Sequence, residues 1–181
     1  MTSIQNKLNE IAKCSVDKEG VTRYSFTKEH RKAISIITKW MTDAGLKVSM
    51  DDAGTLIGNL KSFNKQAKTL LLGSHQDTVK NGGKYDGIMG VLLPILALNN
   101  IKKKKINLPF HVQVLAFADE EGMRFPTSLL GSRALAGTFK KSYLRFKDKN
   151  NNTISDALKS FKLSPKKILK LKRDKKKIIG F

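Results

Sequence analysis

The sequence predicts an α/β fold in which helices cover both faces of a sheet. Two segments within the first 45 residues carry apolar residues at helical spacing. Short segments rich in Val, Ile and Leu follow, separated by turn residues as strands are. Strand-like and helix-like patterns then alternate towards the end of the chain. This alternation is typical of a layered α/β domain.

The N-terminal part predicts two helices followed by three strands. The first helix runs from about Ile4 to Cys14. The second begins near Thr27, which suits an N-cap, and ends at Gly45. The three predicted strands are Lys47 to Met50, Thr55 to Leu60 and Thr69 to Gly73.

The second half continues the alternation. Gly87 to Leu98 is apolar on most faces and predicts a buried helix, with a kink at Pro94. Phe110 to Ala118, with the sequence FHVQVLAFA, predicts a central strand. The remaining predictions are helices at Thr127 to Ala136, Ile154 to Phe161 and Pro165 to Leu171, and a strand-like end at Ile178 to Phe181.

Composition excludes several classes of protein. A chain of 181 residues with 40% hydrophobic residues is able to bury a core. The only cysteine is Cys14, which excludes an internal disulfide and a paired-cysteine metal site. The N-terminus has no signal-peptide pattern, and the longest apolar run, Ile88 to Leu98, is too short to cross a bilayer. We therefore expect a cytoplasmic protein without membrane insertion.

The positive charge is concentrated at the end of the chain. Residues 140–181 contain fifteen Lys or Arg and three Asp, which gives +12 of the formal charge of +20. Such a segment would neutralise phosphates, but only six of the thirty-five basic residues are Arg, and no nucleic-acid-binding motif is present. A solvated lysine-rich helix face is favoured over a nucleic-acid partner.

The few acidic residues in the middle of the chain follow predicted strands. Ligands of an open α/β sheet bind where strands run into loops, so these side chains would converge at one edge. His75 follows the same predicted strand as Asp77 and would join the same cluster. The acidic residues between positions 52 and 148 are Asp77, Asp86, Asp119, Glu120 and Glu121.

A divalent metal pair would resolve the repulsion between so many carboxylates. Imidazole and carboxylate ligands without thiolate fit zinc, and also manganese, cobalt or nickel. Each part alone has a simpler interpretation, since a His-x-Asp sequence is common and adjacent acids often start a helix. The combination favours a metal site. A phosphate-binding loop is disfavoured because no GK[ST] or GxGxxG sequence follows the glycines.

Two stretches carry a family resemblance. GSHQDTVKNGGKYDGIMGV, at residues 73–91, and FADEEGMRFPTSLLGSRALAG, at residues 117–137, resemble signature segments of M20-type metallohydrolases. The GGKYDG and EEGMRF sequences are similar to those of allantoate amidohydrolases and N-carbamoyl-L-amino-acid hydrolases. The resemblance implies a zinc-exopeptidase-like catalytic domain with a mixed sheet and helices on both faces. It also implies hydrolysis of a linear amide or ureido C–N bond in a small molecule.

The resemblance implies roles for His75 and for four of these acidic residues. His75 would bind one metal ion, Asp86 would bridge two ions, and Glu121 would bind the second. Asp77 would fix the orientation and tautomer of the His75 ring. Glu120 would be the general base, exchanging a proton with water and the leaving nitrogen.

Further residues are weaker candidates. Arg124, Phe125, Ser132 and Arg133 follow the acid pair and are candidate substrate-binding residues, with anchoring of the loop as the alternative. His30, on a predicted helix, and His111, at the start of a strand, are not favoured as ligands.

The resemblance also implies an incomplete site. Family members use further histidines, one in an HIEQG-like stretch and one near the C-terminus, and a lid domain that forms a homodimer. We expect residues 1–137 to be the N-terminal part of the catalytic domain and residues 138–181 to be its lysine-rich helical continuation, ending prematurely. Low activity of the isolated chain and aggregation through unpaired strand edges follow as expectations. A non-catalytic remnant and an M20-type aminoacylase or peptidase are the alternatives.

Overall fold

The computed structural model describes residues 3–181 and contains one mixed sheet between two layers of helices. Three helices and four strands occupy the first 117 residues, and two short helices and a fifth strand follow. The helices are α1 (Ser3–Ala12), α2 (Lys28–Asp43), α3 (Ile88–Lys103), α4 (Leu130–Ala136) and α5 (Ile154–Ser160). The strands are β1 (Lys47–Met50), β2 (Leu56–Leu60), β3 (Thr69–His75), β4 (His111–Phe117) and β5 (Ile178–Gly180).

The sheet order is β1-β2-β4-β3-β5. Strands β1, β2 and β4 pair antiparallel, whereas β3 is parallel to both β4 and β5. The parallel register sets His75 opposite Phe117, so β3 and β4 end at the same edge. The mixed sheet that the resemblance implied is confirmed, and its shared edge positions the candidate site.

The first three helices cover one face of the sheet. Their apolar residues pack on alternate residues of β4, including Val112, Val114 and Ala116, to form the larger core. Thr27 caps α2 as predicted, its side chain accepting a hydrogen bond from the His30 backbone N–H. Helix α3 includes Pro94 and extends five residues beyond the predicted end at Leu98.

The opposite face of the sheet is covered by the rest of the chain. Leu115 and Phe117 point to this side and pack with Leu135 of α4. A second core joins α4 and α5 to the loop around Phe26. Helices therefore lie on both faces, as the sequence predicts, because alternate residues of β4 are apolar in both directions.

The lysine-rich end is folded onto the domain. Arg31 donates a hydrogen bond to the Ser160 carbonyl, and the Ser164 N–H donates to the Asp52 carboxylate. The predicted helix at 165–171 is reduced to a 3₁₀ turn at Ile168–Lys170. Within residues 3–181, no helix combines the length and the apolar character needed to cross a membrane.

Candidate metal centre

The parallel strands β3 and β4 deliver the predicted site residues to one edge. His75 is the last residue of β3, and Glu120 and Glu121 begin three residues after the end of β4. Asp119 adopts a left-handed backbone conformation, with φ of 56°, between the strand and this acid pair. Its N–H donates to the Ser25 hydroxyl over 2.7 Å, which fixes the turn.

Asp77 joins the two strand ends. Its Oδ1 accepts from the Glu120 N–H over 3.1 Å, and its Oδ2 accepts from the Glu121 N–H over 3.2 Å. The carboxylate is buried, and burial raises the pKa of Asp77, although these two hydrogen bonds favour its charged form and act against that rise. Asp77 thus orients the backbone that carries both glutamates.

The His75 ring is oriented by a backbone oxygen. Its Nδ1 lies 2.9 Å from the carbonyl oxygen of Asp77. We expected Asp77 to fix this ring, and the structure shows that its main chain, rather than its carboxylate, makes the contact. A proton on Nδ1 would be donated to that carbonyl, which leaves the Nε2 lone pair available to a metal ion.

Carboxylates surround the free nitrogen of His75. The distance from Nε2 to Asp86 Oδ1 is 3.7 Å, and the distance to Glu120 Oε2 is 4.0 Å. One ligand atom each from His75, Glu120 and Glu121 lies within 4.8 Å of the others. The His75 side chain is 12% exposed, whereas those of Asp86 and Glu120 are 55% and 35% exposed, so the cluster opens to solvent.

A glycine allows Asp86 to approach the ring. Gly87 has φ of 64°, a conformation that residues with a side chain rarely adopt. A Cβ atom at this position would overlap the ring of His75. The Asp86 loop is also held at its start, where Val21 and Gly82 exchange two backbone hydrogen bonds of 2.9 Å.

The electrostatics of the cluster favour a cation. Burial is the main cause that raises the pKa of Glu121. The nearby His75 acts in the opposite direction, and the negative charges of Glu120 and Asp86 add smaller increases. A divalent ion would relieve this repulsion. Two ligand atoms that are each about 2 Å from one ion are at most about 4 Å apart, so the cluster would need to contract slightly around it. The donor set and its spacing therefore fit a metal.

Asp119 is outside the cluster. Burial, together with the charge of Asp77, raises the pKa of Asp119 well above its usual range. Its Oδ2 is buried and forms no hydrogen bond within residues 3–181. The residue therefore contributes a turn rather than an exposed ligand.

The four predicted substrate-binding residues have structural contacts. Arg124 forms an ion pair with Asp148 over 3.0 Å and donates to two backbone carbonyls of the loop before α2. Phe125 is buried in the second core. The Ser132 hydroxyl donates to the Leu129 carbonyl, and Arg133 donates to the Tyr143 hydroxyl. These contacts agree with the anchoring alternative, and substrate binding by any of the four stays a prediction.

The other two histidines lie apart from the carboxylates. His30 is fully buried, and burial lowers its pKa to about 3, so its ring is neutral. Its Nδ1 accepts from the Phe26 N–H. His111 begins β4, at the opposite end of that strand from the site, and accepts from the Ser62 N–H.

The strand-end geometry and the family comparison point to the same segment. Residues 71–168 match peptidase family M20/M25/M40, and this range includes every residue of the cluster. The chain belongs to this family. M20 proteins are metal-dependent hydrolases, which agrees with the donor set assembled here.

Relatives of this M20 chain include an allantoate deiminase and an N-carbamoyl-L-amino acid amidohydrolase. The chain is 39% identical to allantoate deiminase 1 of Glycine max, over 97% of this chain and 37% of that protein. It is 40% identical to the N-carbamoyl-L-amino acid amidohydrolase of Geobacillus stearothermophilus, over 82% of this chain and 36% of that protein. The chain therefore spans little more than a third of the length of these relatives.

Solved structures of similar proteins share the fold. A hydantoinase/carbamoylase family amidase from Burkholderia ambifaria superposes with a TM-score of 0.82 at 29% identity, covering 87% of this chain and 39% of that one. AtUAH, solved in complex with (S)-hydroxyglycine, gives a TM-score of 0.89 at 28% identity, covering 97% of this chain and 43% of that one.

Sequence reasoning missed Arg23, Ser25 and Gln76, which are buried around the site. Ser25 fixes the turn before the acid pair, and Gln76 lies between His75 and Asp77. Their spacing has no motif-like regularity, since Arg23 and Gln76 are 53 positions apart. Only a fold in which these segments meet reveals the connection.

Proposed function

We propose that the chain is the metal-binding part of an amidohydrolase that cleaves a linear amide or ureido C–N bond in a small molecule, such as allantoate or an N-carbamoyl amino acid. The observation that carries the proposal is the cluster of His75, Glu120 and Glu121 within 4.8 Å at the shared ends of β3 and β4. The relatives named for allantoate and N-carbamoyl-amino-acid hydrolysis support the substrate class.

Two divalent ions bound to His75, Asp86 and Glu121 would supply Lewis acidity and a water of lowered pKa. Glu120 would accept the proton of that water and return it to the leaving nitrogen. The Glu120 carboxylate is partly exposed and lies 4.0 Å from the His75 Nε2, which suits a group that faces both the metals and the substrate. Asp77 would keep Glu120 and Glu121 in place through their backbone N–H groups.

The division of roles between the two glutamates is open to a direct test. Glu120→Gln and Glu121→Gln are a matched pair, because each removes one charge from adjacent positions. If Glu121 is the ligand and Glu120 the base, Glu121→Gln weakens cobalt or zinc binding about ten- to a hundredfold, whereas Glu120→Gln retains binding. Calorimetry and the visible spectrum of bound cobalt measure both. The opposite ranking would exchange the two roles.

Activity is proposed for a protein of the relatives' full length. Within residues 3–181, His75 is the one imidazole beside the carboxylates, and two ions need more ligands than this cluster offers. We propose that the remaining ligands come from a segment that corresponds to the part of the relatives that this chain does not match. The cytoplasmic location and the homodimer implied by the resemblance stay predictions.

The activity is tested with two forms of the protein. One is the 181-residue chain, and the other is the chain joined to whatever the adjacent reading frame encodes. Ammonia release is assayed from allantoate and N-carbamoyl amino acids with added zinc, manganese or cobalt. Turnover by the longer form alone, abolished by Glu120→Ala, would support the proposal. Absence of turnover in both forms, with metal binding retained, would favour a non-catalytic metal-binding remnant instead.

A further inference from the structure

Arg23 is a buried cation beneath the candidate metal centre. It lies between α1 and α2 and is only 1% exposed, which places it among the largest fully buried side chains. Desolvation lowers the pKa of Arg23, whereas the negative charge of Asp77 acts in the opposite direction. Burial of a guanidinium is unfavourable unless its donors are satisfied, so the position requires an explanation.

The donors of Arg23 are directed at backbone carbonyls. Its Nε donates to the Gln76 carbonyl over 2.7 Å, and its Nη1 donates to the carbonyls of Ile11 and Cys14 over 3.2 Å each. Ile11 is in the last turn of α1 and Cys14 lies two residues beyond it. Carbonyls at a helix C-terminus favour a cation, and the Ile11 carbonyl also accepts from the Cys14 N–H over 3.0 Å. Within residues 3–181, no carboxylate lies within ion-pair distance of Arg23.

The Gln76 carbonyl belongs to the peptide that joins Gln76 to Asp77. A hydrogen bond to it therefore fixes the peptide that leads into Asp77, whose own carbonyl oxygen lies 2.9 Å from the Nδ1 of His75. The same residue is held on its other sides. Its N–H donates to the Phe117 carbonyl over 3.0 Å, and its side-chain amide donates to the Ala116 carbonyl over 3.0 Å.

The main chain of Arg23 strengthens this connection. Its N–H donates to the Thr78 hydroxyl over 2.9 Å, and the Thr78 N–H donates to its carbonyl over 3.1 Å. The segment around Arg23 therefore runs beside residues 76–78 and holds them from the side that faces α1. These contacts connect α1 to the loop that carries Asp77.

We propose that Arg23 is a positioning residue for the metal centre. It fixes the Gln76 carbonyl and thereby sets the directions of the His75 ring and the Asp77 carboxylate, which in turn orients Glu120 and Glu121. The metal-affinity part of the test below rests on the proposed function, and the remaining measurements do not require a bound ion.

The test compares two substitutions of Arg23 with a control in the same region. Arg23→Lys retains the charge but replaces the guanidinium, which donates from two nitrogens to three carbonyls, by a single ammonium group. Arg23→Gln removes the charge. Leu8→Ala is the control, because Leu8 is a buried residue of α1 that packs in the larger core. Cobalt affinity is measured at a temperature at which all three variants are folded, as judged by circular dichroism.

The expected result is a loss of cobalt affinity of about ten- to a hundredfold in both Arg23 variants and a change of less than about twofold in Leu8→Ala. Wild-type affinity in Arg23→Lys or Arg23→Gln would overturn the proposal. An equal loss in Leu8→Ala would also overturn it, because the effect would then follow general stability.

Two metal-free measurements keep the test separate from the proposed function. In the variants, the ring ¹⁵N shifts of His75 at fixed pH and the exchange protection of the Glu120 and Glu121 amides should change, whereas Leu8→Ala should leave the ring shifts unchanged. If the longer form of the wild-type protein also binds no cobalt, the proposed function fails, and these readouts still decide the role of Arg23. If neither Arg23 variant folds, the test is NMR of the Arg23 Nε–H proton in the wild-type protein. Slow exchange of this proton with solvent and a scalar coupling to the Gln76 carbonyl support the proposal, and rapid exchange overturns it.

Discussion

Gly87 and His30 show how single residues without a catalytic role affect the candidate site and the stability of the fold. Gly87 follows Asp86. It has a positive φ and lacks the Cβ atom that would otherwise overlap the His75 ring, and both properties allow Asp86 to approach His75. His30 is a fully buried residue of α2, stacked on Phe161. One residue sets a distance between ligands, and the other affects how stability depends on pH.

Gly87→Ala should displace the loop that carries Asp86. The added methyl group would overlap the His75 ring, and alanine is also strained at φ of 64°. We expect cobalt or zinc affinity to fall about tenfold or more. Gly83→Ala is the matched control in the same loop, because a Cβ there meets nothing within 4 Å. Equal metal affinity of the two variants would contradict the interpretation.

His30 should make the protein less stable in weak acid. Its pKa is about 3 in the fold, where burial is the main cause, against about 6.5 when unfolded. Between these values the unfolded chain binds a proton that the folded chain does not, so this contribution to stability falls as the pH falls. From pH 7 to pH 5 the loss should be about 2 kcal/mol.

The measurement compares urea unfolding of wild type and His30→Gln across this range. The substitution lowers stability at every pH, but the difference in the free energy of unfolding should shrink as the pH falls. Taking the difference between the two proteins also removes the contribution of the buried acids with raised pKa values, such as Asp51 and Asp119. Their contribution to stability changes with pH in the opposite direction to that of His30. Parallel pH profiles would show that His30 is charged or exposed in the fold.

At the scale of elements, the basic C-terminal segment is part of the core. Helix α5 begins with a capping box between Thr153 and Asp156 and ends beside Phe161. The Phe161 ring packs against Phe26 at a centroid distance of 5.4 Å, and the Arg31 guanidinium lies 4.0 Å above it. The lysines around these elements face solvent while the apolar residues between them fill the second core.

Phe161→Ala should therefore destabilise the whole domain. Loss of a buried aromatic ring costs about 3–5 kcal/mol, and Phe161 is 5% exposed. Phe63→Ala is the matched control, because that ring is 76% exposed and its loss should change stability by about 0.5 kcal/mol or less. Chemical unfolding measures both. A small effect at Phe161 would indicate that the C-terminal segment is a loosely attached tail.

At the scale of the whole molecule, charge and fold have separate consequences. The formal net charge of +20 creates a positive potential regardless of which fold the chain adopts. The metal site depends instead on a few acids gathered at one sheet edge. A protein with both features attracts polyanions without having a site for them.

We expect weak binding to duplex DNA that depends steeply on salt and is lost near about 0.2 M. Fluorescence anisotropy with two unrelated duplex sequences measures this, and both should give the same affinity. Binding that survives physiological salt and prefers one sequence would contradict our interpretation and support a nucleic-acid role.

The sequence by itself determined the elements and the set of candidate ligands. Local patterns were sufficient for α2, β1 and β4, because a cap, a turn glycine and apolar periodicity act over a few residues. The 165–171 helix was wrong in length, since tertiary contacts left only a 3₁₀ turn there. The histidine and acids of the cluster were identifiable because acidic residues are rare in the middle of the chain.

Only the tertiary structure decided how those ligands are held. The parallel register of β3 and β4 sets His75 opposite Phe117, and pairing register depends on residues some forty positions apart. The same holds for Arg23 beneath Gln76 and for the Asp77 carboxylate beneath Glu120 and Glu121. These contacts join a side chain to a distant backbone atom, and backbone atoms are identical in every residue. The sequence therefore has no local pattern for them, and folding alone brings them together.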